Sequence, residues 1–192
     1  MDKRPDSWPS RDTAERLLQE FTEGQNLRQH AYAVEAVMRF LARRFGEDEE
    51  FFGLVGLLHD FDYERWPNLG EHTVEGGRIL ASRGYPAILI EAIQSHVTEN
   101  GIPRDTLVKK AIYASDELTG FVVAVALVKG RDLSQVTVAS VEKKLKDKGF
   151  ARAVNREDVL AGPPLLGLTM AEHIAGILEA LGPVAARIGL TA

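Results

Sequence analysis

The sequence predicts an all-α fold: one helical bundle built around a long central helix. Apolar residues recur at helical spacing along almost the whole chain, and no segment alternates convincingly as a strand would. With 192 residues, 45% of them hydrophobic, the chain can bury one core and is too short to need two domains. We therefore expect a single domain over residues 1–192, with its core at about 26–128 and a C-terminal helical extension at about 134–190.

The first two helices are predicted from capping signals and periodicity. Asp12 and Glu15 have the spacing of a capping box for a short helix that runs through residue 21. A second helix is expected over about 26–45, where apolar residues repeat along one face. His30 lies in the first turn of that helix and shares the apolar face, so its side chain should point inward, either as a core residue or toward a site.

A third helix, from about residue 47, ends in His59-Asp60. The apolar run 51–58 predicts a buried segment, and it delivers an imidazole and a carboxylate side by side at its polar end. The pair can converge on one metal ion, or it can cap the helix and the turn that follows. Residues 61–70 contain a proline and a glycine and show no clear period, so we expect a loop beside the pair.

Two helices predicted between residues 71 and 97 carry further histidines near their ends, His72 and His96. The sixth helix, from about residue 105, is the longest apolar-rich element and is predicted to be the central buried one. Asp116 lies within it. An ionised carboxylate buried without a partner costs several kcal/mol, so a metal ion or a salt bridge is expected to balance its charge.

Beyond residue 130 the composition becomes more basic. A basic amphipathic helix is predicted over residues 134–148, where Lys143 and Lys146 either face solvent or reach a bound phosphate. A shorter helix should follow, broken by the Gly-Pro-Pro sequence at 162–164. A final helix over about 169–188 opens with a capping box.

Composition excludes several classes of function. The chain has no cysteine, which rules out disulfides, thiolate metal sites and thiol nucleophiles. Its N-terminus lacks an apolar signal core and its longest apolar run is far shorter than a membrane span, so we expect a cytoplasmic protein without membrane association. The net charge of −5 argues against binding a nucleic acid polymer, although a small phosphorylated ligand is compatible with it.

The histidines and aspartates within or at the ends of these helices form an ordered series. Its members are His30, His59-Asp60, His72, His96 and Asp116. Imidazole and carboxylate together suit Mn, Fe, Co, Ni or Zn. The pattern H…HD…H…H…D resembles the HD superfamily of metal-dependent phosphohydrolases, over about the first two thirds of the chain. Residues 116–120 and 140–148 also resemble an uncharacterised bacterial, HDIG-like branch of that superfamily.

This resemblance implies an HD-type helical bundle in which His30, His59, Asp60 and Asp116 bind a divalent metal. The resemblance also makes three residues of the series candidate catalytic residues: Asp60, His72 and His96. In bimetallic relatives the corresponding histidines hold a second metal, whereas in mononuclear relatives they lie near the substrate phosphate.

The segment after the His-Asp pair departs from the family pattern. Many relatives have Ile-Gly-Lys there, and the lysine can contact phosphate; here the sequence is Phe61-Asp62-Tyr63. Arg65 is a candidate replacement, and Lys143 and Lys146 are further candidates for substrate binding. Because the lysine is missing and no second histidine adjoins His96, we expect one metal ion rather than two.

The function implied is hydrolysis of a nucleotide or another small phosphate ester, a monoester by preference, by a metal-activated hydroxide. A homodimer is compatible with the sequence. Three alternatives remain open at this stage. One is a di-iron oxygenase that uses the same ligands, another is a non-catalytic, metal-bound nucleotide sensor, and the third is a structural helical protein whose histidines are core residues.

Overall fold

The computed structural model describes residues 8–68 and 70–192, and its fold is all-α, as predicted. Within those residues there is no β-strand, only an isolated bridge between Asp132 and Thr191. Nine α-helices are found there: α1 (Arg11–Phe21), α2 (Gln25–Phe45), α3 (Glu49–Leu58), α4 (Val74–Ser82), α5 (Ala87–Gln94), α6 (Leu107–Val128), α7 (Val138–Leu145), α8 (Arg156–Leu165) and α9 (Met170–Leu181). Short 3₁₀ helices lie at Thr98–Asn100, Leu133–Gln135 and Gly182–Ile188. The first seven residues of the predicted domain, and Leu69 in the predicted loop, lie outside the described residues.

The helix boundaries mostly follow the predicted signals, with one correction at the first helix. Gly46 closes α2 in the left-handed region, with φ of 72°, where glycine has no steric penalty. The predicted cap at Asp12 is wrong, because the side chain of Ser10 accepts the hydrogen bond from the backbone N–H of Thr13. Asp12 instead lies in the first turn of α1, where its negative charge interacts favourably with the positive N-terminal end of the helix dipole.

The predicted break at Gly-Pro-Pro is also wrong. Helix α8 continues through Pro163 and Pro164 to Leu165. Both prolines lie in the last turn, so the helix ends directly after the backbone hydrogen bonds that they interrupt. Gly162 is needed for packing, since a Cβ atom there would lie 2.6 Å from the Cα atom of Ala114 in α6.

Helix α6 is the central element, as predicted, and it packs against α2, α3, α5, α7, α8 and α9. It has the length and hydropathy of a membrane-spanning helix, but 56% of its most apolar window is buried inside the bundle. The pair α8 and the segment 170–188 would pass the same test only as one bent span. Packing around the core accounts for the apolar composition of α6, and the absence of membrane association stays a prediction.

Close packing of α2 against α3 fixes the position of the His-Asp pair. Gly56 allows this approach, because a Cβ atom there would lie 2.9 Å from both the Cα atom of Glu35 and the carbonyl oxygen of Val34. The end of α3 therefore lies against α2, and His59 follows three residues after Gly56. The C-terminal extension joins the same bundle, since α8 packs on α6 and α9 packs on α2 and α6.

Candidate metal centre

His30, from the first turns of α2, and Asp116, from the middle of α6, meet at the centre of the bundle. Nε2 of His30 lies 2.9 Å from Oδ1 of Asp116. His59 directly follows α3 and is fully buried, and its Nε2 lies 3.2 Å from Nε2 of His30 and 3.3 Å from Oδ1 of Asp116. Asp60 completes the group, with Oδ2 3.5 Å from Nε2 of His59. The structure thus brings together the four residues predicted as metal ligands.

A second group of donors shares Asp60. Its other oxygen, Oδ1, lies 3.1 Å from Nε2 of His72 and 3.3 Å from Nε2 of His96. These two ring nitrogens are 3.2 Å apart. His72 lies in the turn before α4 and His96 just after α5, so two helix termini deliver the pair. Asp60 therefore lies between two donor groups, and each group faces one of its carboxylate oxygens.

The contacts of the Nδ1 atoms define the histidine tautomers. Nδ1 of His59 lies 2.9 Å from the carbonyl oxygen of Gly56, and Nδ1 of His96 lies 2.6 Å from that of Ile93. A carbonyl oxygen only accepts, so each Nδ1 carries the proton and each neutral ring presents an unprotonated Nε2. Several lone pairs then converge with carboxylate oxygens, and such an arrangement is repulsive unless a cation lies among them.

The spacing of the donor atoms fits metal coordination. Metal bonds of about 2.1 Å that meet at 90–109° hold neighbouring donors roughly 3.0–3.4 Å apart. The contacts of His30, His59 and Asp116 span 2.9–3.3 Å, and those of Asp60, His72 and His96 span 3.1–3.3 Å. In each group one donor atom per residue lies within 4.8 Å of all the others. Both groups can therefore hold a metal ion, with Asp60 common to the two.

Comparison with known proteins agrees with this geometry. The family model of the HD domain matches residues 27–120, a range that contains every residue of both donor groups. Residues 27–120 of this chain belong to the HD-domain superfamily. Searches of curated proteins and of solved structures gave no match.

Asp62 supports the second donor group of this HD domain from behind. It is buried, and its Oδ1 lies 2.9 Å from Nδ1 of His72. Its Oδ2 accepts hydrogen bonds from the backbone N–H groups of Thr73, at 2.8 Å, and Gly76, at 2.9 Å. A carboxylate that accepts from Nδ1–H turns the Nε2 lone pair of the imidazole toward the metal. Sequence reasoning missed this role, although the departure from Ile-Gly-Lys at this position was the available signal.

Thr73, beside His72, has an unusual backbone. Its φ of 64° is rare for a β-branched residue. Three side chains hold it there: Asp62 accepts from its N–H, Asn100 donates to its Oγ1 at 2.6 Å, and Gln94 donates to its carbonyl oxygen at 3.0 Å. Strain of this kind persists where surrounding contacts fix the backbone, and here those contacts also fix the direction of His72.

The HD site attracts cations strongly. Burial alone would lower the pKa of His59, but Asp60 and Asp116 outweigh it and raise this pKa well above its ordinary value. His72 behaves in the same way: despite burial, its hydrogen bonds to Asp60 and Asp62 raise its pKa to about 9. Burial would raise the pKa of each ligand aspartate, yet His59 above all holds both values well below their usual range. The carboxylates thus favour positive charge here, whether from protons or from metal ions.

A cleft of about 730 Å³ reaches both donor groups. Its other lining residues include Tyr63, Thr98, Glu99, Tyr113, Glu117 and residues from the segment 153–158. Burial, and next the charge of Asp116, raise the pKa of Glu117 to about 7. Tyr63 stands where many HD relatives have lysine, and its ring lies edge-on to His72 with 5.1 Å between ring centroids. The sequence carried no signal that the segment 153–158 would line the cleft.

The structure does not bring the predicted substrate-binding cations to this cleft. Arg65 turns toward α1 instead: its guanidinium lies 4.1 Å from the ring centroid of Phe21, and its Nη2 donates to the carbonyl oxygen of Glu20. Lys143 and Lys146 are exposed on and just after α7, whose Val141 is buried on the opposite side. None of the three is among the residues that line the cleft.

Proposed function

We propose that this HD-domain protein is a metal-dependent phosphohydrolase that releases phosphate from a small monoester. The observation that carries the proposal is the position of Asp60, whose two oxygens face two groups of metal-type donors at the base of one open cleft. Paired metal sites that share a carboxylate suit reactions in which an attacking oxygen and a leaving oxygen are stabilised together.

The residues have distinct roles in this proposal. His30, His59 and Asp116 would hold one ion, His72 and His96 would hold a second, and Asp60 would bridge them. Divalent ions bound there supply Lewis acidity and make water a nucleophile near neutral pH. The Nδ1 contacts of His59 and His96 direct the Nε2 lone pair of each neutral ring toward the centre. Asp62 does the same for the neutral ring of His72, which is buried.

The proposal takes two ions, whereas the sequence predicted one. The missing lysine and the absence of a histidine beside His96 favoured one ion. The geometry favours two, because Nε2 of His72 and Nε2 of His96 approach Oδ1 of Asp60 as closely as the first group approaches Asp116. The preference for small ligands over nucleic acid polymers remains part of the proposal on the charge argument given above, and the cytoplasmic location stays a prediction.

The test is metal analysis combined with phosphate release. Protein purified without a histidine tag should bind two equivalents of Mn²⁺, and it should hydrolyse p-nitrophenyl phosphate only when metal is present. Asp60→Asn should lose both metal and activity, because one bridging carboxylate serves both groups. His96→Ala should lose one equivalent, with kcat lowered by about 100-fold or more. Asp132→Asn, in the turn before the 3₁₀ helix at Leu133–Gln135, is the matched control and should behave like wild type, because the amide oxygen can accept the same hydrogen bond from the Ser134 N–H.

Each alternative predicts a different result. Full metal occupancy in Asp60→Asn would reject the metal centre and favour a structural role for the histidines. One equivalent in both wild type and His96→Ala would support a single ion, with His96 near the phosphate. Nucleotide binding without turnover would indicate a sensor. Oxygen consumption by the iron-loaded protein, without phosphate release, would indicate an oxygenase.

A further inference from the structure

The outer wall of the cleft is built by a segment that lies beyond the match to the HD domain. Residues 153–155, 157 and 158, which include the start of α8, line the same cleft as the donor groups. The hydroxyl of Tyr113 in α6 donates to Oδ1 of Asp158 at 2.6 Å, and this bond ties the wall to the central helix. The organic part of a substrate whose phosphate lies at the donor groups would therefore contact this wall.

The lining of this cleft is rich in acidic side chains. Among the described residues that line it there is no lysine and no arginine, whereas six are acidic: Asp60, Glu99, Asp116, Glu117, Glu157 and Asp158. Arg104 is nearby, 3.6 Å from the ring centroid of Tyr113, but it donates to the carbonyl oxygens of Ser95 and His96 and to the Thr98 hydroxyl. Apart from the histidines of the donor groups, the described lining therefore offers no side-chain cation to a second or third phosphate group.

The N-terminus of α8 does not supply positive charge either. A helix N-terminus can bind phosphate through its free N–H groups. Here the side chain of Asn155 accepts from the N–H groups of Glu157, at 3.0 Å, and Asp158, at 3.4 Å. The carboxylates of these two residues lie in the same first turn and reverse the sign of the local field.

The two ends of the cleft would differ in net charge once metal ions and a phosphate are bound. Two divalent ions carry four positive charges, which two ligand carboxylates and one phosphate dianion would balance. The remaining acidic residues then face the organic part of the substrate. Glu99 and Glu157 are exposed, and among the described residues their carboxyl groups have no side-chain partner, whereas Asp158 accepts from Tyr113 and Asn155.

We infer that the organic part of the substrate carries a positive charge, as a primary amine does, and that Glu99 and Glu157 select it. This inference rests on the proposed phosphohydrolase function and specifies the substrate class of the same cleft. An ammonium group would supply the missing counter-charge. A nucleoside triphosphate would add negative charge where no cation is available, so electrostatic complementarity favours the amine and rejects the polyphosphate.

The test compares two monoesters of nearly the same shape, 2-aminoethyl phosphate and propyl phosphate, which differ by an ammonium against a methyl group. At low ionic strength the manganese-loaded protein should show a kcat/KM at least about 10-fold higher for the amine. In the double variant Glu99→Gln/Glu157→Gln the two values should converge, mainly through a lower value for the amine. Glu179→Gln, an exposed change on α9, is the control and should keep the preference. Equal values in wild type, or a preference that survives in the double variant, would overturn the inference.

Binding without turnover separates this inference from the proposed reaction. 3-Aminopropylphosphonate and butylphosphonate are non-hydrolysable analogues of the two esters, and calorimetry gives their affinities directly. If neither ester nor p-nitrophenyl phosphate is hydrolysed, the proposed reaction fails. Tighter binding of the aminophosphonate, lost in the double variant, would still support selection of a cation. Equal binding of the two phosphonates would reject that selection even if the esters are hydrolysed.

Discussion

At the scale of single residues, the candidate site depends on oxygen atoms that can only accept hydrogen bonds and so determine which histidine nitrogen carries the proton. The carbonyl oxygen of Gly56 can only accept, so His59 must donate from Nδ1 and offer Nε2 as a ligand. Asp62 favours the same tautomer of His72. Its Oδ1 accepts from Nδ1, while its Oδ2 accepts from two backbone N–H groups. The direction of a metal ligand is thus set by the residue behind it.

Asp62→Asn should test this dependence without removing a ligand. The amide oxygen can keep the two backbone hydrogen bonds of Asp62, so its NH₂ group would face Nδ1 of His72. That contact favours the tautomer with a proton on Nε2, which cannot bind metal. We expect affinity for the second ion to fall by about 10–100-fold while the first ion is retained, measured by calorimetric titration with Mn²⁺. Two ions bound with unchanged affinity would contradict the role of Asp62.

The residues predicted from sequence and those missed differ in what their chemistry reveals. His30, His59, Asp60 and Asp116 could be proposed because imidazole and carboxylate in apolar helices are unusual and occur in a recognisable order. Asp62 uses the same carboxyl group as any surface aspartate, and only its contacts identify it. The candidates that the structure does not bring to the cleft are long cationic side chains, whose direction depends on packing partners far away in the sequence.

At the scale of elements, helical periodicity was sufficient for the helices but not for their contacts. The buried face of α6 follows from its apolar residues, and the αL end of α2 follows from Gly46. The close approach of α2 to α3 depends on Gly56, which in sequence is one more small residue in an apolar run. Likewise, the close approach of α8 to α6 at Ala114 depends on Gly162, which periodicity does not single out.

Gly56→Ala should show how much the α2–α3 contact contributes. The added methyl group would meet the backbone of α2 at 2.9 Å, and backbone atoms cannot move aside as a flexible side chain can. Overpacking of this kind lowers the free energy of unfolding by about 1–3 kcal/mol, seen as a lower urea midpoint at unchanged slope. Because His59 is three residues further along, metal binding should weaken as well. Gly182→Ala is the control, since nothing lies within 4 Å of its added Cβ atom. Equal midpoints for the two variants would contradict this account.

At the scale of the whole molecule, two parts of the chain build different sides of the cleft. Residues 27–120, the HD domain, supply both donor groups, whereas the C-terminal extension supplies the far wall of the cleft. The order of ligands in the sequence was enough to predict the first part. The second could not be predicted, because the position of residues 153–158 depends on how α8 and α9 pack on α6. That the chain forms a single domain stays a prediction.

His173 provides a stability test of the contact between the extension and α6. It is buried in α9, and its Nε2 lies 3.0 Å from the carbonyl oxygen of Ala114, so Nε2 carries the proton of the neutral ring. Burial lowers its pKa from 6.5 to about 4. Above pH 6.5 the ring is neutral in both the folded and unfolded states, so its titration does not lower the free energy of unfolding. As the pH falls from 6.5 toward 4, the unfolded state binds the proton first, so the free energy of unfolding decreases.

The size and origin of this loss can be measured by comparing wild type with His173→Gln, which can donate to the same carbonyl group but does not titrate. A shift from 6.5 to about 4 corresponds to at most about 3 kcal/mol. We expect wild type to lose more than about 1 kcal/mol relative to the variant between pH 7 and pH 4.5, from urea unfolding of metal-free protein. All other acid-sensitive groups, including the metal ligands, are common to both proteins, so their effects cancel in the difference. A constant difference across this range would mean that His173 does not titrate on unfolding, and that any acid sensitivity of the fold has another source.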